Sequence, residues 1–209
     1  MKRETRKEIL DMSRKLFNQR GFNDVSIRDI ATALGISNGN LTYYFKRKEE
    51  IVEALITEGG NGNKKPETAI QDLEDLDAFF LNMQRVVLEN AFYFWHHAQL
   101  SQLSPKIHEK QKIRYMLNVQ MLGQAFYKLK EDGFVRSERF PEEYARMIDA
   151  LLISSIYWIP FCKLKARDQR DVDYHTHAWS ITYQLLTEEG QAVADKILSK
   201  SSSANTTTL

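Results

Sequence analysis

The stretch SIRDIATALGISNGNLTYYFKRK, residues 26–48, decides how this chain folds. Ser26 is an N-cap residue, and Asp29 three positions on completes an S-x-x-D capping box. Ile27, Ile30, Ala31 and Leu34 then fall at i, i+3, i+4 and i+7, one apolar face of a helix. Gly35 can turn left-handed at the helix end without a Cβ penalty. Ser37 caps a second helix in which Leu41 and Phe45 point inward. Its outward positions, Asn38, Gly39, Asn40, Thr42 and Tyr43, are small or hydrogen-bonding and carry no charge, and Lys46, Arg47 and Lys48 follow at once. Two short helices on a glycine turn, apolar on one side and polar but uncharged on the other, predict a helix-turn-helix over 26–45.

Working outward, residues 3–20 carry Ile9, Met12, Leu16 and Phe17 on one stripe, with Gly21 ending the helix and Phe22 packing beside it. Lys48, Glu49 and Glu50 open a fourth helix, with Ile51, Leu55 and Ile56 inward, to about Thr57. EGGNGNKKPET then breaks the helix. The expected division is a DNA-binding domain over 1–58, a linker over 59–68, a helical domain over 69–199 and a disordered polar tail over 200–209. No alternating strand pattern of useful length occurs, so the fold class is all-α. One long helix, bent near its middle, is expected over 69–103, and another from Pro105 to about Lys130. A third begins at Pro141 and is kinked or ended by Pro160. A fourth runs from about Val172 to Leu186, and Gly190 separates a last piece ending near Leu198.

Several of these elements, EILDMSRKLFNQRGF, SIRDIATALGIS, GNLTYYF and KRKEEI, resemble in order the N-terminal domain of the TetR/AcrR transcriptional regulators. The resemblance covers about a quarter of the chain. It implies a sequence-specific DNA-binding regulator of bacterial type: a ligand-responsive, homodimeric repressor that reads a palindromic operator in the major groove. By family pattern Ser26, Arg28, Thr42, Tyr44 and Lys48 match DNA-contacting positions. Two positions depart, since the family commonly has tyrosine at Thr42 and histidine at Tyr44; Tyr43 or Tyr44 is the expected substitute for the contact Thr42 is too short to make.

Chemistry adds Asn38, Asn40, Thr42 and Tyr43 as base readers, because asparagine pairs bidentately with adenine and a threonine methyl meets the thymine methyl. Gly39 permits close approach. Phosphate attraction falls to Arg28, Lys46, Arg47 and Lys48, helped by N–H groups at helix N-termini. The net charge of +1 advertises no global affinity for nucleic acid, but its distribution is uneven. Eleven Lys/Arg face eight Asp/Glu through Leu55, leaving eighteen and twenty in the remainder. A basic lobe on a mildly acidic body suits local phosphate attraction.

In the body, Phe80, Phe92, Trp95, His96, Tyr115, Met116 and Phe126 are the expected lining of an inducer pocket for a small hydrophobic ligand. Plain core packing is the competing reading for each of them. Residues 146–162 are apolar around most of the helix and must be buried on more than one side. The resemblance implies a homodimer through the C-terminal helices, with Leu152, Ile156, Tyr157, Trp179 and Tyr183 at the interface. A two-fold dimer would present two recognition helices to two half-sites.

Catalysis, metal and cofactor have little to stand on. His96 and His97 point about 100° apart on a helix, His175 and His177 are split across faces, and no HExxH, G-x-S-x-G, P-loop or dinucleotide fingerprint occurs. The single cysteine, Cys162, excludes a disulfide framework and suits a small buried hydrophobe in a reducing cytoplasm. The first residues, MKRETRKEI, have no apolar leader core, and no run of 18 apolar residues occurs, so no membrane partner is expected. The alternatives are a helical small-molecule-binding enzyme with an appended helix-turn-helix, and a non-specific DNA-packaging protein.

Overall fold

In the computed structural model the backbone is described for residues 2–58, 69–165 and 173–205. The predicted linker 59–68 lies outside the described residues. Among those described, the chain is helical and forms no strand; a single bridge pairs Val135 with Leu186.

Four helices precede residue 59: α1 Lys2–Arg20, α2 Ile27–Leu34, α3 Asn38–Tyr44 and α4 Lys48–Thr57. Ser26 accepts from the Asp29 N–H, and Asp29 accepts in return from the Ser26 backbone, a complete capping box. Gly35 sits at φ 66°, and the N–H of Ile36 reaches back to the Ala31 carbonyl, closing α2 with a left-handed cap. Ile9, Phe17, Phe22, Ile30, Leu41, Phe45 and Ile51 are buried in one cluster beneath these helices. That cluster does not stop at the domain boundary: Phe92, Leu100 and Ile107 of the body belong to it.

The body departs from the sequence expectation in its first element. Residues 69–103 form three helices, α5 Leu73–Glu89, α6 Ala91–Trp95 and α7 His97–Leu103, broken at Asn90 and His96. Asn90 turns its amide back onto the Val86 carbonyl, an alternative to helical pairing that asparagine offers the backbone. The groups freed at the break are taken up from the other domain. Asn18 of α1 donates to the Glu89 carbonyl at 2.8 Å and accepts from the Phe92 N–H at 3.0 Å.

α8 Pro105–Glu131 begins at its predicted proline. α9 Glu143–Leu164 begins two residues after Pro141 and runs through Pro160 to Leu164, where the sequence predicts a kink or an end. Pro160 stands within the last two turns, and burial of Ile159 and Cys162 holds that end in place. By length and composition α9 could cross a membrane, with a mean hydropathy of 1.4. Here it is a packed element against α5, α6, α8 and α10.

α10 Tyr174–Thr182 passes into a single 3-10 turn, Tyr183–Leu185, rather than continuing as helix. α11 Glu188–Asn205 starts ahead of Gly190, so that glycine does not separate elements. It serves close approach instead, since a Cβ there would lie 2.2 Å from the Phe134 carbonyl oxygen. α11 also extends the helix through 200–205, where a disordered tail is expected; adding residues to an existing helix avoids the nucleation cost. Residues 206–209 lie outside the described residues.

The body's main core joins Phe80, Phe126, Tyr144, Leu151 and Trp179. Inside it Asp77 accepts from the Trp179 indole at 2.8 Å and pairs with His175 Nε2 at 2.5 Å, so its buried carboxylate is satisfied by two side chains of α10.

Candidate nucleic-acid interface and body cavity

The helix-turn-helix presents an outward face made by α3 and its flanks. Asn38, Gly39 and Asn40 are exposed, and Tyr43 is 69% exposed with its ring edge-on to Tyr44 at 5.2 Å. Tyr44 is half-buried against the domain core, so its ring braces Tyr43 rather than projecting freely. Thr42 turns its hydroxyl back onto the Asn38 and Gly39 carbonyls at 3.0 and 3.1 Å. Its methyl group is left as the outward chemistry.

The charges around this face differ in availability. Arg28 and Lys46 are exposed, as is Arg47, which makes only a 3.6 Å surface pair with Glu50. Lys48 is engaged elsewhere. Its ammonium donates to the carbonyls of Phe22, Asn23 and Val25 at 2.8, 3.1 and 3.1 Å, and lies 4.4 Å from the centre of the Phe22 ring. An ammonium has three N–H donors, and all three are committed. Lys48 therefore pins the α1–α2 loop to the start of α4.

The starts of α2 and α3 are capped by side chains, whereas Arg47 at the start of α4 makes no side-chain cap. Ser26 and Asp29 fill the start of α2, and the Asp29 carboxyl is held below its ordinary value mainly by its hydrogen bond with the Ser26 side chain, then by the Ser26 backbone N–H. Ser37 takes the Asn40 N–H, and Glu50 takes the Lys46 N–H. The uncapped start of α4 and the exposed cations at the rim are the groups here with the chemistry to meet a phosphate.

Behind this domain lies a cavity of about 700 Å³, within the usual range for small-molecule sites. Phe79, Met83 and Val86 of α5 and Leu152 and Ile156 of α9 give it apolar walls, while α8 contributes His108, Lys110, Gln111, Lys112, Arg114, Tyr115 and Asn118. Leu55 and Ile56 of α4 also line it, so the helix-turn-helix domain supplies part of the wall. Burial pushes the Tyr93 phenol up to about 12, despite a hydrogen bond from Gln111 and the nearby Arg114 charge. Burial also lowers the His97 pKa. Both therefore stand neutral at pH 7.

A family model described as "Bacterial regulatory proteins, tetR family" matches residues 9–55, from the first buried position of α1 to the end of the α4 core. The N-terminal segment is also similar to a probable HTH-type transcriptional regulator, YttP, of Bacillus subtilis. That match is 36% identical over 74 residues, covering 35% of this chain and 36% of the relative. It is similar as well to the HTH-type transcriptional repressor KstR2 of Mycolicibacterium smegmatis, 33% identical over 36% of this chain and 40% of that one. These likenesses span well under half of either relative. The whole fold is similar to a TetR-family transcriptional regulator from Marinobacter aquaeolei VT8, with a TM-score of 0.78 at 21% identity over 94% of this chain and 98% of that one. The ketosteroid transcriptional regulator KstR2 of Mycobacterium tuberculosis follows, at 0.63 and 19% over 88% and 96%. Residues 9–55 thus match the TetR-type DNA-binding domain, and the whole chain has the fold of TetR-family regulators. Neither the enzyme nor the packaging alternative is favoured by these likenesses.

Of the residues the sequence offers for a TetR-type ligand pocket, Phe92 and Tyr115 line the cavity. Phe80 and Phe126 do not; both are fully buried in the main core. Trp95 faces outward with the Lys163 ammonium 4.0 Å from its ring centre, and Met116 is exposed on the far side of α8. His96 sits at the joint with α1 and α2, its ring 6.3 Å from Phe22 and hydrogen-bonded to Gln99. The break at His96 separates it from His97, which does line the cavity.

Among the expected interface residues, Trp179 is 1% exposed and bound to Asp77, so it is core. Leu152 is buried and Ile156 half-buried, both facing the cavity. Tyr183 is half-buried and hydrogen-bonded to Asp195, while Tyr157 is exposed. Tyr93 and His97, in the same aromatic stretch as Phe92, line the cavity too, and sequence reasoning missed Gln111 and Arg114. The available signal was the polar run His108, Gln111, Tyr115 and Asn118 at near-helical spacing within an otherwise amphipathic helix.

Proposed function

We propose that this chain is a sequence-specific DNA-binding transcriptional regulator: a cytoplasmic homodimeric repressor that reads a palindromic operator and is released by a small ligand. Residues 1–58 serve as the DNA-binding domain and 69–199 as the ligand and dimerisation domain. One observation carries the reading. An uncharged, hydrogen-bonding face of Asn38, Gly39, Asn40 and Tyr43 is exposed in a frame of Arg28, Lys46 and Arg47. Uncharged amides and a phenol can discriminate base edges, and framing cations hold the backbone without sequence preference.

Dimerisation is assigned to the outward stripe of α9. Ile153, Tyr157, Phe161 and Leu164 are exposed at i, i+4, i+8 and i+11 on the helix that the main core covers from behind. Such a stripe matches a two-fold helical interface, with Tyr157 retained from the sequence expectation and Trp179 withdrawn.

Ligand control works through α4. Its inner side packs in the DNA-binding core at Ile51 and Val52, and Leu55 and Ile56 reach the cavity. A ligand that binds more tightly with α4 displaced shifts the dimer away from the operator-matching spacing. The test is selection from random duplex DNA with the purified chain, followed by footprinting of the region upstream of its own gene. A palindromic footprint that a ligand abolishes is expected. Binding that coats all sequences alike would refute the proposal.

A further inference from the structure

We propose that the cavity takes an uncharged carboxamide or lactam carried on an apolar body, and that Asn118 is the residue that selects it. This rests on the reading of the cavity as the ligand site of a DNA-binding regulator. Two polar side chains lining the space are more than nine-tenths buried, Asn118 at 8% exposure and Ser155 at 2%. Ser155 spends its hydroxyl on the Leu152 carbonyl at 2.8 Å. Among the described residues Asn118 has no hydrogen-bond partner. Its amide is not sealed in, as the orphaned Trp158 indole nitrogen is, so its donors and acceptor open onto the cavity. Other polar groups of the wall are already engaged. Gln111 donates to the His97 carbonyl at 3.2 Å, Asn90 to the Val86 carbonyl at 3.0 Å, and the Tyr115 hydroxyl to Asp149 at 3.0 Å.

Asn118 stands where the cavity meets the core. α8 lines the space from His108 to Asn118, and one turn further on Leu122 is fully buried in the main core. Phe79 and Met83 line the cavity and pack against that same core, so the surroundings at this end are apolar. Lys110, Lys112 and Arg114 stand at least one turn back along the helix, with Lys112 exposed to solvent.

A side-chain amide carries two N–H donors and a carbonyl acceptor. Buried without partners, these groups cost free energy, and a ligand recovers most of it by meeting both. A carboxamide or lactam presents a donor and an acceptor side by side and closes two parallel bonds with Asn118. A ketone or ester offers only an acceptor and leaves the Asn118 carbonyl unmet. A carboxylate can only accept and an ammonium can only donate, and either must also shed its water at an apolar end. The apolar body of the ligand belongs against Phe79, Met83, Val86 and Ile156.

The test titrates the full-length protein calorimetrically with octanamide, N,N-dimethyloctanamide, octanoate and octylammonium, which share one alkyl chain. Binding of a selected DNA duplex is followed in parallel by fluorescence anisotropy. Octanamide should bind about tenfold or more tightly than the dimethylamide, which lacks an N–H, and more tightly than either ion. Asn118→Leu should reduce that preference to about twofold or less. It should also raise the melting temperature, because an apolar group of similar shape replaces an unpartnered buried amide. Any of the other three probes binding the wild-type protein as tightly as octanamide would overturn the inference, as would a leucine variant that keeps the preference. Octanamide preferred by a protein that selects no DNA would instead remove the regulator reading and leave the amide site standing. DNA selection by a protein that binds none of the four would do the reverse.

Discussion

The proposed DNA-reading face and the cavity place charge in opposite ways. On α3 the reading positions are uncharged and the cations stand at the rim, because DNA already supplies charge everywhere and discrimination must come from hydrogen-bond pattern. In the cavity Lys110, Lys112 and Arg114 stand among the lining residues themselves, beside apolar walls from α5 and α9. Lys48 shows how position decides what a lysine does: beside the reading face by sequence, it is spent on three carbonyls and serves the fold.

The largest effect should come from the reading face. Asn40→Ala or Tyr43→Ala should cost about 1–3 kcal/mol of specific binding and relax preference at one base position, measured by competition among single-base operator variants. A uniform loss across all variants would erase the contrast between reading and anchoring.

Lys48→Met should lower thermal stability by about 1–2 kcal/mol, since three carbonyls lose a donor, while the salt dependence of DNA binding keeps its slope. Arg47→Ala should do the reverse, leaving the melting temperature nearly unchanged and flattening the slope by about one unit. A flattened slope in the Lys48 variant would return that residue to the phosphate-binding set.

Asn18→Ala tests whether the two regions are joined. It strands the Glu89 carbonyl and the Phe92 N–H at the α5–α6 break and should cost about 1 kcal/mol of stability. It should also weaken the effect of any ligand on DNA binding, read as a smaller ratio of operator affinities with and without ligand. An unchanged ratio would leave α4 as the sole route between the sites.

The smallest effect is acid sensitivity, and its sign follows from depressed values. The Glu143 carboxyl is held at about 2, first by the Arg136 guanidinium and then by the Arg139 N–H. The unfolded chain takes up that proton first, so the contribution is complete above the ordinary value of 4.5 and is lost as pH falls through about 2. Neutral, half-buried His97 acts in the same sense from its ordinary 6.5 downward. Arg136→Met should move the acid-unfolding midpoint to higher pH by circular dichroism; an unmoved midpoint would show that the pair does not stabilise the fold.

By itself the sequence determined the all-α class, the capped helix-turn-helix and the uncharged outward positions of its second helix. Those depend on interactions three or four residues apart: Ser26 with Asp29, Ser37 with Asn40, and the apolar stripe of α2. Only the tertiary structure decided what reaches across the chain. Lys48 binds carbonyls more than twenty residues away, Asn18 closes a helix break more than seventy residues away, and Trp179 meets Asp77 in the core rather than a second subunit. The cavity belongs with these, because its wall draws on α4, α5, α8 and α9 together. Local periodicity tells which side of a helix is apolar. Whether that side meets a core, a cavity or a partner depends on packing between segments remote in sequence, which no short window of residues encodes.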